Sequence, residues 1–223
     1  MGQYEKIVPY ISVERLSSYR KDQTESYETV LARYFWNVAL CESLYPILQH
    51  LEVTLRNSIH LAATRQFSND EFWFKLDVIK QEMKWTYDEA ISKAEAELKK
   101  EGKALKACSV LSKLSFNFWI MLFNSEVEQV FLYKVIKEVF PNMKKAERTR
   151  VPIANKLNKI LRLRNRVFHH EPIWNKADLM NVYQDMLYVI RSINPEMEII
   201  VAKFDHFPEV YQRGQLYILE WKP

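Results

Sequence analysis

The chain has 223 residues, 48% of them hydrophobic, and a net charge of +4. That length can bury a substantial core, and the composition is unlike that of a disordered segment. Only three glycines occur, Gly2, Gly102 and Gly214; no GxGxxG or GxxxxGK[ST] phosphate loop can be written with them, and sheet-rich folds lose ground to helical ones.

In chain order, Ser12–Lys21 reads as a short helix and Glu25–Leu44 as a long one rich in aromatics. Pro46 then marks a first turn or a kink. Ile47–Phe67 continues with Leu48, Leu51, Leu55, Ile59 and Ala63 at the helical period. Ser68-Asn69-Asp70 is a break. Val78–Lys100 is a charged amphipathic helix that stops at Gly102. Leu105–Leu114 and Phe116–Asn124 are apolar and expected to be buried. Glu126–Val139 ends at Phe140-Pro141. Lys145–Phe168 is a basic helix closed by Pro172. Leu179–Ile193 is a further helix ended by Asn194-Pro195. Met197–Phe204 and Gln215–Trp221 carry enough β-branched and aromatic residues to allow short strands. A single all-α domain over residues 1–223 with an irregular C-terminal tail is the simplest expectation.

The longest uncharged run, Leu114–Ser125, has twelve residues, too short to cross a bilayer. The first residues show no basic stretch followed by an apolar block, so no signal peptide is expected. Cys41 and Cys108 cannot staple a domain of this size, and a reducing cytoplasm is the expected compartment. No HExxH, no compact Cys/His cluster and no GxSxG is present, so neither a metal nor another cofactor is expected.

Charge is concentrated. Lys144–Arg166 holds nine basic residues against Glu147 alone, which leaves −4 for the other 200 residues. Such asymmetry suits a polyanionic partner, although a solvated helix face would look the same.

Two segments remain as carriers of chemistry. In the first, residues 162–172 read RLRNRVFHHEP. At ~100° per residue, Ile153, Leu157, Ile160, Leu161, Val167 and Phe168 fall on one side of the helix, with Arg164 near the middle of that stripe. A guanidinium buried there without a partner would cost several kcal/mol, order of magnitude. Asn158, Arg162, Asn165 and His169 form a polar stripe roughly opposite, in which Asn165 and His169 can hydrogen-bond. Arg164 and His169 diverge by ~140° on a regular helix. Their convergence on one substrate therefore needs a distorted helix end or a second copy of the chain. The competing explanation is an arginine paired with an acid in a helical core and two histidines capping a helix before a proline. Arginine and histidine together nevertheless suffice to cleave RNA without a metal, one holding the phosphate and the other moving protons near neutral pH. In the second segment, Glu52, Arg56 and His60 recur every four residues on one helical stripe. They either line the same cleft as the first segment or form an intra-helix ion pair beside a core-edge histidine.

Arg164-Asn165-Arg166-Val167-Phe168-His169 resembles the R-N-x-x-x-H form of the R-x4-6-H signature of HEPN-domain ribonucleases. The longer string LRNRVFHHEPIW is similar to the Abi-like (abortive infection) phage-resistance family. So are LYPILQHLEVTLRNSIH at 44–60, LSFNFWIMLF at 114–123, FPNMKKAERTR at 140–150 and the N-terminal YISVERLSSY. One departure is visible: a T-F-G-F-W-type string of the family reads Ser115-Phe116-Asn117-Phe118-Trp119 here.

The resemblance implies a HEPN-like helical bundle with extra helices. Relatives are commonly dimeric, with two Arg/His motifs meeting in a cleft, and the implied reaction is metal-independent endoribonucleolysis in abortive infection or as a toxin. On this basis His169 would be the general acid/base, Arg164 the phosphate and transition-state stabiliser, and Asn165 the orienter of His169. His170 would be an understudy, with Glu52, Arg56 and His60 as accessory residues. Lys156, Lys159, Arg162 and Arg166 would guide the RNA backbone. Implied partners are RNA, a second copy of the chain, and an antitoxin or regulatory RNA; no membrane partner is expected. Some relatives have lost cleavage, so a non-catalytic RNA- or protein-binding module is the alternative.

Overall fold

The computed structural model describes residues 3–83, 85–214 and 216. Among these the regular structure is helical and no strand occurs, so the fold is all-α. The helices are α1 (Gln3–Ile11), α2 (Val13–Ser17), α3 (Tyr27–Gln66), α4 (Asp77–Lys80), α5 (Trp85–Lys100), α6 (Ala107–Lys113), α7 (Phe116–Met121), α8 (Tyr133–Val139), α9 (Arg150–Phe168), α10 (Leu179–Ile193), α11 (Pro195–Ala202) and α12 (Phe207–Arg213).

The spine is α3, 40 residues long and so about 60 Å at 1.5 Å per residue. Ser26 caps it, accepting the Thr29 N–H at 3.3 Å. Pro46 does not divide it into two helices: the helix runs through the proline. Interior proline costs about 3 kcal/mol. Here Leu40, Leu44, Ile47, Leu48 and Leu51 on both sides of it are buried in one core, and each fully buried side chain of that size contributes about 1.5–3 kcal/mol. Packing therefore outweighs the lost backbone bond. α8, α10 and α12 pack against α3, and α9 lies against α10 and α7.

Other boundaries shift for local reasons. The helix expected over 78–100 is two, α4 and α5, anchored separately by buried Ile79 and by buried Tyr87 and Ile91. The stretch expected as helix over 126–139 starts as a 3-10 turn at Ser125–Val127 and a π turn at Glu128–Leu132 before α8. This irregular start brings Phe131 against Phe67 and Trp73. α9 begins at Arg150 rather than 145, with Pro152 in the first turn, where a missing N–H costs nothing.

Met197–Phe204 is not a strand. Asn194 Oδ1 accepts the Glu196 and Met197 N–H groups at 2.8 and 3.2 Å, and Pro195 occupies the first helical position. This start signal overrides the β-branched content that follows. The tail is likewise not irregular as far as Arg213, where α12 ends. Apart from Leu216, the possible strand at Gln215–Trp221 lies outside the described residues.

One large apolar core unites α3 with α5 to α12. A smaller cluster of Leu16, Tyr19, Val30 and Leu31 sits under the N-terminal helices, where Trp174 packs against it. That second cluster matters because Trp174 follows directly on the motif at the end of α9.

Candidate functional site

α9 ends at His169, which keeps a near-helical backbone (φ −92°, ψ 8°), and His170 turns into the left-handed region at φ 58°. Two bonds close the end: the His170 N–H donates to the Val167 carbonyl at 3.2 Å and the Glu171 N–H to the Arg166 carbonyl at 2.8 Å. This is the Schellman arrangement, which favours glycine at the left-handed residue. α5 closes in the same way, with Gly102 at φ 67° in the equivalent place. At the end of α9 the sequence puts a histidine there instead. Histidine tolerates this conformation better than most side chains, and its imidazole is left exposed beside exposed His169.

The turn is held from two directions. Arg15 of α2 donates to the His170 carbonyl. Past Pro172, the Ile173 and Trp174 N–H groups both donate to Asn37 Oδ1 of α3, at 2.7 and 3.1 Å. The Trp174 indole N–H reaches the Ser18 carbonyl at 3.2 Å. Its ring stacks near Tyr19 and lies 4.9 Å from the Arg33 guanidinium. Sequence reasoning missed Asn37, Arg15 and Trp174. Only Asn37 left a signal, an amide inside the apolar run Phe35–Leu40.

Arg164 and Asn165 part company. Arg164 lies half-buried on the side that faces Glu52 of α3, its guanidinium 4.4 Å from the centre of the Phe168 ring. It makes no ion pair and no hydrogen bond, and its Nε is fully shielded from solvent. The competing explanation, an ion pair with a core acid, therefore does not form, and Glu52 interacts with Arg164 only at a distance. Phe168 does not join the buried stripe but stands 42% exposed, and Leu163 fills the core position.

Asn165 opens on a different side, into a basin of about 330 Å³ shared with Lys159, Arg162, Arg166 and Lys176. Its side chain makes no bond to His169; the contact between the two residues is the His169 N–H on the Asn165 carbonyl at 2.9 Å.

The basic helix divides by use. Lys156 is taken up by Asp185 and by the Tyr188 ring, and Arg150 by Glu128 at 2.9 Å. Lys159 and Arg162 are exposed, and Lys159 acts on Asp178 only at a distance. Arg166 stands 3.3 Å from Glu171, and Lys176, which sequence reasoning missed, 3.1 Å from Asp178. Three of the four expected RNA-guiding residues thus face one basin, and Lys156 serves the fold.

The α3 stripe also divides. Glu52 and Arg56 line a cavity of about 210 Å³ closed by Tyr45 and Phe168. Burial pushes the Glu52 carboxyl above its ordinary value, against the opposing pull of Arg164 and Arg56. The intra-helix Glu52–Arg56 ion pair does not form; Arg56 Nε donates to Asn57 Oδ1 at 3.3 Å. His60 is elsewhere: its Nδ1 accepts the Trp73 indole N–H at 3.1 Å, and burial holds its pKa below the ordinary value. His60 is a packing residue and is not brought to the cavity.

Among the described residues no helix is long and apolar enough to cross a membrane, and no group of three His, Cys, Asp or Glu could hold a metal ion.

An all-α chain that ends a basic helix in an exposed histidine pair, beside an arginine bonded to no acid, belongs to a definable class. The family model of the Abi-like proteins matches residues 3–175, and the chain belongs to that family. The match takes in every block from α1 to the segment after the motif, and membership points to abortive-infection phage defence. The departure at Asn117 falls on an exposed position of α7. No curated protein and no solved structure gives a significant match.

Proposed function

We propose that the chain is a metal-independent endoribonuclease of the HEPN class, acting in the cytoplasm in abortive infection or as a toxin. The observation that carries this is Arg164, a half-buried guanidinium held on Phe168 with no hydrogen-bonded acceptor of its own, five residues before the exposed His169. Glu52 acts on this cation only at a distance, and a half-buried guanidinium with no bonded partner favours an incoming anion. A phosphodiester is the ligand that arginine geometry fits bidentately.

In the reaction, His169 takes the proton of the ribose 2′-OH. The 2′-oxygen forms a bond to its own phosphorus, the bond to the 5′-oxygen breaks, and an imidazolium returns a proton to that leaving oxygen. Arg164 stabilises the charge that builds on the phosphoryl oxygens. The products are a 2′,3′-cyclic phosphate and a 5′-hydroxyl. Because Arg164 and His169 diverge by about 140° at one helix end, a homodimer that brings two ends together supplies what one chain does not. An antitoxin or regulatory RNA would hold the activity in check.

The absence of a side-chain bond between Asn165 and His169 favours the second reading, a non-catalytic RNA-binding module, because nothing then fixes the imidazole. One experiment separates the two. Purified protein is incubated with mixed RNA, and with DNA of the same sequences, in excess EDTA. Cleavage of RNA alone with cyclic-phosphate ends, lost in His169→Ala, supports the nuclease. Salt-sensitive binding without cleavage supports the module, and DNA cleavage removes the 2′-OH mechanism.

A further inference from the structure

The cavity between α3 and the end of α9 holds an unusual carboxylate. Glu52 is half-buried and makes no hydrogen bond or ion pair. Its two neighbouring cations act on it only at a distance: Arg56 is turned to Asn57 and Arg164 to the Phe168 ring. A carboxylate offers about four acceptor sites, and at Glu52 no protein group meets them, so a ligand's donors can take the place of water there. The Glu52 oxygens face a space of about 210 Å³ instead of a partner.

The mouth of that space is aromatic. Tyr45 and Phe168 stand 52% and 42% exposed, with ring centroids 6.1 Å apart and planes tilted by 55°. Neither is a core residue. Two exposed rings beside a carboxylate suit a flat ligand that carries N–H donors on one edge. Arg164 beside them adds a site for an anion joined to that ligand. A base attached to its phosphate combines these properties, and proteins read single-stranded RNA by stacking unpaired bases on aromatic rings and bonding their Watson–Crick edges.

We propose that this cavity is a base-reading subsite that takes a guanine of the RNA, with Glu52 accepting its N1–H and N2–H groups. The proposal rests on the RNA reading of the site above. Guanine is selected because it is the common base with two adjacent donors on that edge. Adenine and cytosine present an acceptor nitrogen beside their amino group, which a carboxylate repels, and uracil presents one donor between two carbonyls. Tyr45 and Phe168 pack on the base, and Arg164 stays free for the adjoining phosphate.

The test uses His169→Ala protein, which binds without cutting, and single-stranded oligouridylates carrying one guanine, inosine, adenine or cytosine. Guanine should bind tightest, and inosine, which lacks the N2 donors, about tenfold more weakly. Glu52→Gln, isosteric and uncharged, should lose the guanine preference while keeping its affinity for the adenine oligomer. Tyr45→Ala should weaken all four alike. Equal affinity for guanine and adenine, or a preference that survives in Glu52→Gln, overturns the proposal. Cleavage by the wild type is scored in parallel. Guanine-selective binding with no cleavage keeps the subsite and rejects the nuclease. Cleavage indifferent to guanine keeps the nuclease and rejects the subsite. Absence of RNA binding rejects both.

Discussion

The side-chain carbonyl of Asn37 accepts the backbone N–H of Ile173 at 2.7 Å, and the next N–H along, that of Trp174, shares the same oxygen. Asn37 is 3% exposed and Ile173 fully buried. One amide on the spine helix therefore anchors the chain just past the histidine pair, at the two residues that follow Pro172. Asn37→Ala leaves both N–H groups without an acceptor. The expected cost is roughly 2 kcal/mol or more, since each unmet buried group costs about 1–3 kcal/mol. Urea denaturation measures it, and a change below about 0.5 kcal/mol, within the range of ordinary surface substitutions, would show that the anchor is not needed.

His170 and His169 should separate in a way their adjacency in sequence hides. His170 holds a left-handed backbone at φ 58°, so His170→Gly should leave stability unchanged or raise it, whereas His170→Val should lower it by about 1–2 kcal/mol. If His169 carries the chemistry, His170→Gly keeps RNA cleavage and His169→Ala abolishes it with little change in melting temperature. A stable but inactive His170→Gly protein would transfer the proton-moving role to His170.

The helical class, α10 to the residue, and the basic character of α9 were legible because periodicity and charge are local properties. The run of α3 through Pro46 was not, because it depends on what buries Leu44 and Ile47 from other helices. The same holds for α11, where a capping asparagine outweighs the propensities that follow it. At the site, Arg164, Asn165 and His169 could be named from the motif and from helix geometry. That Arg164 rests on Phe168 without an acid, that Lys156 is spent on Asp185, and that His60 serves Trp73 could not. Each depends on a residue at least four positions away whose orientation is set by tertiary packing. Asn37 and Arg15 lie still further away, 136 and 155 positions from Ile173 and His170, whose backbone groups they bond.

The pairing of Arg33 with Glu25 beside Trp174 should make the N-terminal clamp acid-sensitive. Arg33 is 3% exposed, and its NH2 lies 2.7 Å from Glu25 Oε1. The hydrogen bond from Arg33, joined by that from the Lys21 N–H, lowers the Glu25 pKa from 4.5 to about 2. A carboxyl with a depressed folded-state pKa binds its proton more readily in the unfolded chain. Its stabilising effect is thus complete above its ordinary value and is lost as pH falls through the lowered one. The melting temperature should drop more steeply between those two values in the wild type than in Glu25→Gln. Parallel curves for the two proteins would show that the pair does not contribute.

The basic residues of α9 and of the turn after it should differ in how they respond to salt, because the structure uses them differently. A lysine or arginine that neutralises a backbone phosphate releases a counterion, and each such contact contributes about 0.7 to the log–log salt slope for a single strand. Lys159 and Arg162 are exposed in the basin beside Asn165, and Lys159 feels Asp178 only at a distance. Lys159→Gln and Arg162→Gln should each flatten the slope by close to that amount. Arg166 and Lys176 must first leave Glu171 and Asp178, so their substitution should flatten it less. Lys156 is bonded to Asp185 and lies over the Tyr188 ring. Lys156→Gln should leave the salt slope unchanged and appear instead as lost stability, because Asp185 would keep its charge without a partner. Binding of a fluorescent single-stranded RNA to His169→Ala protein across a salt series gives all five slopes. A Lys156→Gln slope reduced as much as that of Arg162→Gln would show that RNA displaces Asp185, and that the basin extends along the helix beyond Lys159.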